Sequence, residues 1–413
     1  MTAPSDPDSV SGTAGLRPRE FIAFLSMVMA LAAIGIDLML PAFDEMRTAF
    51  GLADDSNELA RVVTFYLLGM AVGPVFYGSL ADRFGRRSVL WLGGVIYIAG
   101  AAVSALAPSL GLLLAARFLW GFGASAGRVV AFAIIRDTQR GEEMARTMSY
   151  VMAVFILVPV AGPSLGVVIV ALGSWRWVFW SGALAAGLLL LWSTRLVETL
   201  PASARQPISF TTLRTTAVRM TSTPAALAPL LAMMAIRGVM ASYLASSELL
   251  ISEVFDRRHQ FPVIFGGVAV VLGLASVLNG KLLGRMNMSD LLTRVVVVYL
   301  ALAAACLAVA WGAAGRPSFW SFMPLLAVAL SCQMFLTPNL NTMALEPMGD
   351  VAGTASALLA MTSTAGGAII GAMVDTQLGQ SITPLTVSMV GSALVILGLQ
   401  FWGGRYATTP VPA

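Results

Sequence analysis

Five ionisable side chains lie inside long apolar runs of this 413-residue chain: Asp37, Arg117, Arg128, Arg237 and Glu248. A charge within a membrane-spanning helix costs on the order of 3 kcal/mol or more, so position alone makes each a candidate for function. Asp37 stands in ALAAIGIDLMLPAF, where Pro41, one turn later, lacks a backbone donor and weakens the helix. Burial favours a neutral carboxyl and a nearby cation favours a carboxylate; a group held between the two takes up or releases a proton as its surroundings change. Asp37 is therefore read as a proton-coupling site, with a structural ion pair to an arginine as the alternative. Arg117 and Arg128 are 11 residues apart, three helical turns plus about 20°, so they share one face about 16 Å apart. The small residues of WGFGASAG between them admit a neighbouring helix or a ligand. The alternatives are a backbone or carboxylate partner for Arg117 and snorkelling to the nearer membrane surface for Arg128. Arg237 and Glu248 repeat the 11-residue spacing. Glu248 falls near the end of its run, where capping a solvated vestibule is the alternative to facing a cavity. Three positive and two negative groups suit neutral or anionic molecules better than multiply cationic ones.

The elements that must position these residues are membrane helices. Hydrophobic residues make up 58% of the chain and charged residues 11%, against about 25% charged in soluble domains. Runs of roughly 20 apolar residues recur along the whole length, each able to cross a ~30 Å hydrocarbon core as helix. The ~10-residue alternation of a membrane barrel is absent. Twelve spans are expected, at 21–43, 59–80, 88–107, 110–133, 146–172, 176–194, 225–251, 262–283, 291–312, 319–341, 352–374 and 382–403. They form an N-terminal six-helix bundle, 21–194, and a C-terminal one, 225–403, joined by a polar linker, 195–224. The flanking tails are 1–20, rich in Pro, Ser and Gly and read as disordered, and 404–413. With the N-terminus inside, 16 of the 25 Lys and Arg residues fall on the inner side, which places both termini in the cytoplasm.

Several function classes drop out. There is no P-loop, and GFGASAG is not a dinucleotide fingerprint because no strand–turn–helix surrounds it. The single histidine, His259, and the two cysteines, Cys306 and Cys332, leave no nucleophile–base constellation and no metal-ligand cluster. An enzyme, a cofactor and a nucleic-acid partner are not expected. Both cysteines read as small core residues.

Two stretches interrupt the pattern of plain spans. YGSLADRFGRR, Tyr77 to Arg87, concentrates charge in a tight turn between spans two and three. Asp82 stands there where the N-terminus of a helix from the other half can attract it. GKLLGRMNMS, from Gly280, repeats G-x-L-x-x-R at the same place in the second half, with Gly284 where Asp82 would be. A duplicated six-helix unit follows, and repeat-built bundles place their substrate site between the repeats near the membrane midplane. VPVAGPSLG, in span five, sets Pro159, Gly162, Pro163 and Gly166 in one apolar run, a helix suited to flexing or sealing between states, or simply kinked. Gly69 and Gly73, and Gly367 and Gly371, are read as helix-packing pairs.

Together these stretches resemble the major facilitator superfamily. GSLADRFGRR is similar to its G-x-L-x-D-R-x-G-R-R signature, RFLWGFGASAG to its span-four arginine motif and VPVAGPSLG to its antiporter motif. IDLMLPAF resembles the first-helix motif of drug:proton antiporters, and IIRD, WRWVFW, ETLP and GTASALLA are similar to the Bcr/CflA drug-resistance subfamily. Val158 and Val167 depart from the antiporter motif's glycines, and Arg128 and Arg237 are charges the pattern lacks. The resemblance implies an all-α membrane fold of two pseudo-symmetric six-helix bundles in the bacterial inner membrane, working as a monomer. It implies proton-coupled export of small, largely apolar molecules by alternating access. Asp37 would carry the proton and Arg117 would help set its affinity. Arg128, Arg237 and Glu248 would line the substrate cavity. Gly78, Asp82, Arg83, Gly85, Arg86 and Arg87 would form a cytoplasmic latch of the outward-open state. A transporter for one specific, acidic metabolite, and a membrane sensor without flux, are the competing readings.

Overall fold

A computed structural model of the chain describes residues 13–205, 210–283, 288–379 and 381–404, and its regular structure there is helical throughout. Twelve helices are long and apolar enough to cross a membrane: α1 Pro18–Phe50, α2 Ala60–Phe84, α3 Arg86–Leu106, α4 Leu110–Thr138, α5 Gly141–Ala171, α6 Arg176–Ser193, α7 Pro224–Val254, α8 Arg258–Leu282, α9 Asp290–Gly312, α10 Phe319–Gly349, α11 Ala352–Asp375 and α12 Thr383–Trp402. All twelve expected spans are present, most displaced by only a few residues at their ends. The first runs further than expected because α1 is broken rather than terminated. Its main helix stops at Asp37, a 3₁₀ turn covers Leu40–Ala42 around Pro41, and a short helix continues over Phe43–Phe50.

The polar segments carry more structure than their composition suggests. Ala14 and Leu16 are buried, and the Ala14 carbonyl accepts a hydrogen bond from the Val197 amide at 3.0 Å. Glu20 binds the Trp192 indole at 3.0 Å and the Arg195 guanidinium at 2.7 Å. The expected disordered tail is thus ordered from Thr13 onward, tied down by contacts distant in sequence. The linker forms a helix, Phe210–Ser222, anchored by buried Met220 and by Arg219, which donates to the Pro347 carbonyl at 3.0 Å. Residues 1–12, 206–209 and 405–413, and the turn containing Gly284, lie outside the described residues.

Lipid tails are as apolar as leucine, so membrane helices associate chiefly by close packing. The α2–α4 crossing is built from reciprocal glycines. Gly69 receives the α4 backbone at Phe118 and Phe122, and Gly121 receives the α2 backbone at Tyr66. Beside this crossing Trp120 packs edge-on against Tyr66, Tyr97 and Phe179, at ring-centroid distances of 6.0, 5.3 and 5.6 Å. Cys306 and Cys332 are buried, unpaired core residues.

The duplication shows most clearly where a glycine-bearing helix meets the first helix of each half. A β-carbon on Gly162 of α5 would stand 2.8 Å from that of Asp37, and one on Gly367 of α11 would stand 2.6 Å from that of Arg237. Four residues further on, Gly166 meets Leu38 and Pro41 of α1, and Gly371 meets Ala241 and Ser242 of α7. The α1–α5 and α7–α11 pairs are thus packed by the same kind of glycine contact, which touches Asp37 in one half and Arg237 in the other.

A side chain at Gly121 would collide with main-chain atoms that cannot rotate away. Gly121→Val should cost at least the upper end of the about 1–3 kcal/mol typical of overpacking. Thermal melting of the purified protein in detergent should fall by several degrees, whereas Gly187→Ala, where no atom lies within 4 Å of the added carbon, should leave it unchanged.

Candidate functional site

Hydrogen bonds and ion pairs that join the two halves gather at the end of the bundle away from the termini. Arg47, in the short extension of α1, is buried and pairs with Glu248 of α7 at 2.5 Å and with Asp44 at 2.7 Å, while its Nε donates to the Ser56 carbonyl at 3.2 Å. Arg258 of α8 reaches back to Asp44 at 2.9 Å. The Asn57 amide, just before α2, donates to Ser246 Oγ at 2.9 Å and to the Asp375 carbonyl at 3.0 Å. The Asp375 carboxylate accepts hydrogen bonds from Ser242 and Ser246 at 2.6 and 2.9 Å. Glu248, expected in the substrate cavity, is taken up in this seal. Arg47 lies past the expected first span, 21–43, and the fold buries it in the helical extension of α1. Asp375 also escaped the sequence reading, because it ends its apolar run one residue past the expected span.

Arg117 occupies the junction of α1, α2 and α4. The proline-weakened stretch of α1 offers it a carbonyl, Gly35 O, at 2.8 Å, and the start of α2 offers Val62 O at 3.2 Å. Its guanidinium lies over the Tyr66 and Trp120 rings, 4.3 and 4.8 Å from their centroids. Arg117 therefore holds the backbone two residues before Asp37, and among the described residues it forms no ion pair with the carboxylate itself. Tyr66 fixes the same segment by donating to the Ala32 carbonyl at 2.9 Å. Asp37 is buried, 3% exposed, and has no cation partner among the described residues. Gly162 and Gly166 press α5 onto Asp37, Leu38 and Pro41, which gives the antiporter motif a packing role at this carboxylate. Tyr243, on the opposite half, lies within electrostatic reach of Asp37.

Arg128 and Arg237 have a different environment. Arg128 is not covered by other protein atoms although it lies about 15 Å in from the Thr138 end of α4, counting 1.5 Å per residue. It shares the face of Arg117, which points into the bundle. Across the gap, Arg237 of α7 stands close enough for the two guanidiniums to repel. Among the described residues neither has an acidic partner; Arg128 sits 6.0 Å from the Phe132 ring centroid, and Nε of Arg237 is buried without an acceptor. Asp37, at the end of the main helix of α1 and beside Tyr243, lies further toward the sealed end. A separate apolar pocket of about 490 Å³ between α7, α9, α10 and α12 contains none of the candidate residues.

At the end bearing the termini, the charged turn forms a cluster confined to the N-terminal half and the linker. Asp82 binds Arg86 at 2.6 Å, and Arg86 also binds Asp137 at 2.8 Å. Glu198 caps α3 by accepting hydrogen bonds from the amides of Arg86 and Arg87 at 2.8 and 3.1 Å. The Glu198 carboxylate lies where a side chain at position 85 would go, and Gly85 has φ of 97°, so glycine is required twice over. Arg83 is exposed, with Phe84 beneath its guanidinium, and Gly78 meets no other atom closely. The cluster unites GSLADRFGRR with IIRD and ETLP, and Asp82 turns to Arg86 rather than to a helix of the other half.

The family model described as Major Facilitator Superfamily matches residues 25–372. The chain is 30% identical over 394 residues to an uncharacterized MFS-type transporter, YdgK, of Bacillus subtilis (strain 168), covering 94% of this chain and 96% of that one. It is 27% identical over 390 residues to a bicyclomycin resistance protein homolog of Haemophilus influenzae, covering 92% and 95%. Its fold matches a solved bacterial homolog of the human lysosomal transporter Spinster, in an inward-facing and unoccupied conformation, with TM-score 0.69, 16% identity and coverage of 97% and 100%.

Two substitutions check the geometry. Removing one partner of the Arg47–Glu248 pair strands a buried charge, a loss of about 3–5 kcal/mol. Arg47→Met or Glu248→Leu alone should therefore lower the melting temperature markedly, and the double substitution should restore most of it. Arg117→Lys keeps the charge but provides a single ammonium in place of a planar fork, so it should cut transport at least tenfold and lower the melting temperature, because one ammonium cannot hold both carbonyls.

Proposed function

Because this chain belongs to the major facilitator superfamily, we propose that it is a proton-coupled antiporter that exports small organic molecules. It sits in the bacterial inner membrane with both termini in the cytoplasm, and it works as a monomer. The single observation that carries this reading is Asp37. It is a buried carboxyl with no cation partner among the described residues, it sits where α1 breaks, and it lies between the hinge helix α5 and Tyr243 of the other half. Such a group binds a proton in one arrangement of its neighbours and releases it in another. The relative named for bicyclomycin resistance supports a drug among the exported molecules.

In this scheme the links between the halves at the end away from the termini belong to the inward-facing state. Substrate enters from the cytoplasm. The halves then rock, the Arg47–Glu248 and Asn57–Asp375 links part, and Asp82 leaves Arg86 to latch the inner ends together. Protonation of Asp37 from outside accompanies substrate release, and proton loss to the cytoplasm resets the carrier. Coupling needs only that the two states bind proton and substrate with different free energies. Arg117 contributes by holding the Gly35 carbonyl and hence the direction in which Asp37 points.

Asp37→Asn removes the titratable group at nearly constant volume. In everted vesicles it should abolish bicyclomycin accumulation driven by a pH gradient. In proteoliposomes it should abolish drug-dependent proton movement while leaving folding intact by gel filtration. Full pH-driven accumulation by Asp37→Asn would rule the assignment out, and saturable binding without flux in the wild type would identify a sensor.

A further inference from the structure

Two cations, one from each half, are left without a task by the transport scheme. Arg128 and Arg237 come from opposite halves, lie within electrostatic reach of each other, and have no acidic partner among the described residues. The surrounding groups do not neutralise them. Glu248 is paired with Arg47 and Asp375 with two serine hydroxyls, both at the sealed end. Arg117 is engaged with backbone carbonyls, and Asp37 lies further toward the sealed end, beside Tyr243. Both arginines sit about 15–20 Å in from the helix ends nearest the termini. Two like charges brought together in a low-dielectric interior are costly unless a ligand neutralises them. Buried Nε of Arg237, with no acceptor, is one donor awaiting such a group.

We propose that Arg128 and Arg237 form a two-pronged anion site, and that the molecule moved carries a carboxylate, sulfonate or phosphate on an apolar body. Guanidinium forks bind such groups through paired, charge-assisted hydrogen bonds. Aromatic groups lie nearby: Phe132 beneath Arg128, and Tyr243, six residues beyond Arg237 on α7, stacked on Phe265 at 6.1 Å and 5° from parallel. Because one arginine belongs to each half, the bound anion bridges the two bundles and cancels the repulsion that otherwise holds them apart at this level. This site deepens the transporter reading and rests on it. The anion and the proton bind different atoms at different depths, so their exchange is enforced by the conformational cycle rather than by competition for one group.

The test uses the full-length protein in detergent and matched probes: naphthalene-2-sulfonate against naphthalene-2-sulfonamide, benzoate against benzamide, and tetraphenylphosphonium as the cation. Each anion should raise the melting temperature at concentrations at least tenfold below its neutral amide, and added NaCl should weaken the effect. Arg128→Gln and Arg237→Gln should each weaken anion binding tenfold or more. Ligand-free Arg237→Gln should melt no lower than the wild type, because it removes a repulsion; a structural role would lower it. If Arg237→Gln fails to fold, Arg128→Gln and the charge-retaining Arg237→Lys supply the comparison. Equal stabilisation by anion and amide, preference for the cation, absence of stabilisation by both anions, or unchanged anion binding in both Gln variants would overturn the site. Anion flux that moves with the proton rather than against it would overturn the antiport reading and leave the site standing.

Discussion

A charge inside an apolar bundle has to be paired, solvated by the protein or left facing water, and the way each one is handled organises this molecule. Arg117 is solvated by backbone carbonyls and aromatic faces, and in that way it ties α1, α2 and α4 into one unit. Arg47 and Glu248 are paired across the halves, and the pairing closes one end. Asp375 is solvated by hydroxyls at the same end. Among the described residues Arg128, Arg237 and Asp37 have no oppositely charged partner. Which charges are satisfied and which are not is thus decided by what their neighbours supply, not by residue type.

The two ends of the bundle are built from different interactions. The sealed end uses ion pairs and amide–hydroxyl bonds between halves, which can part and be replaced by water when the halves rock. The opposite end keeps its strongest charges within one half, where Glu198 caps α3 and Arg86 bridges Asp82 and Asp137. That cluster is satisfied within one half and the linker, and its Asp82 side chain remains 48% exposed.

Close glycine contacts recur in both halves. Gly162 presses α5 against Asp37 of α1, and Gly367 presses α11 against Arg237 of α7, so tight helix packing meets an acid in one half and a base in the other.

Much was already legible in the sequence. Twelve apolar runs of spanning length, the midpoint linker, the charged turn and the isolated acid before a proline all follow from local composition and spacing, because the bilayer imposes length and polarity on each segment separately. The 11-residue spacing also placed Arg117 and Arg128 on one face. The sequence did not reveal which charges meet. Arg47 and Glu248 are 201 residues apart and Asn57 and Asp375 are 318 apart, and nothing local marks either pair. Nor did composition show that residues 13–20 are held by α6 and the start of the linker, or that the linker coils into a helix, since both depend on contacts with distant segments. Local chemistry determined the helices and the candidate charges; only the packing of one half against the other decided which of those charges are satisfied and which remain open to a ligand.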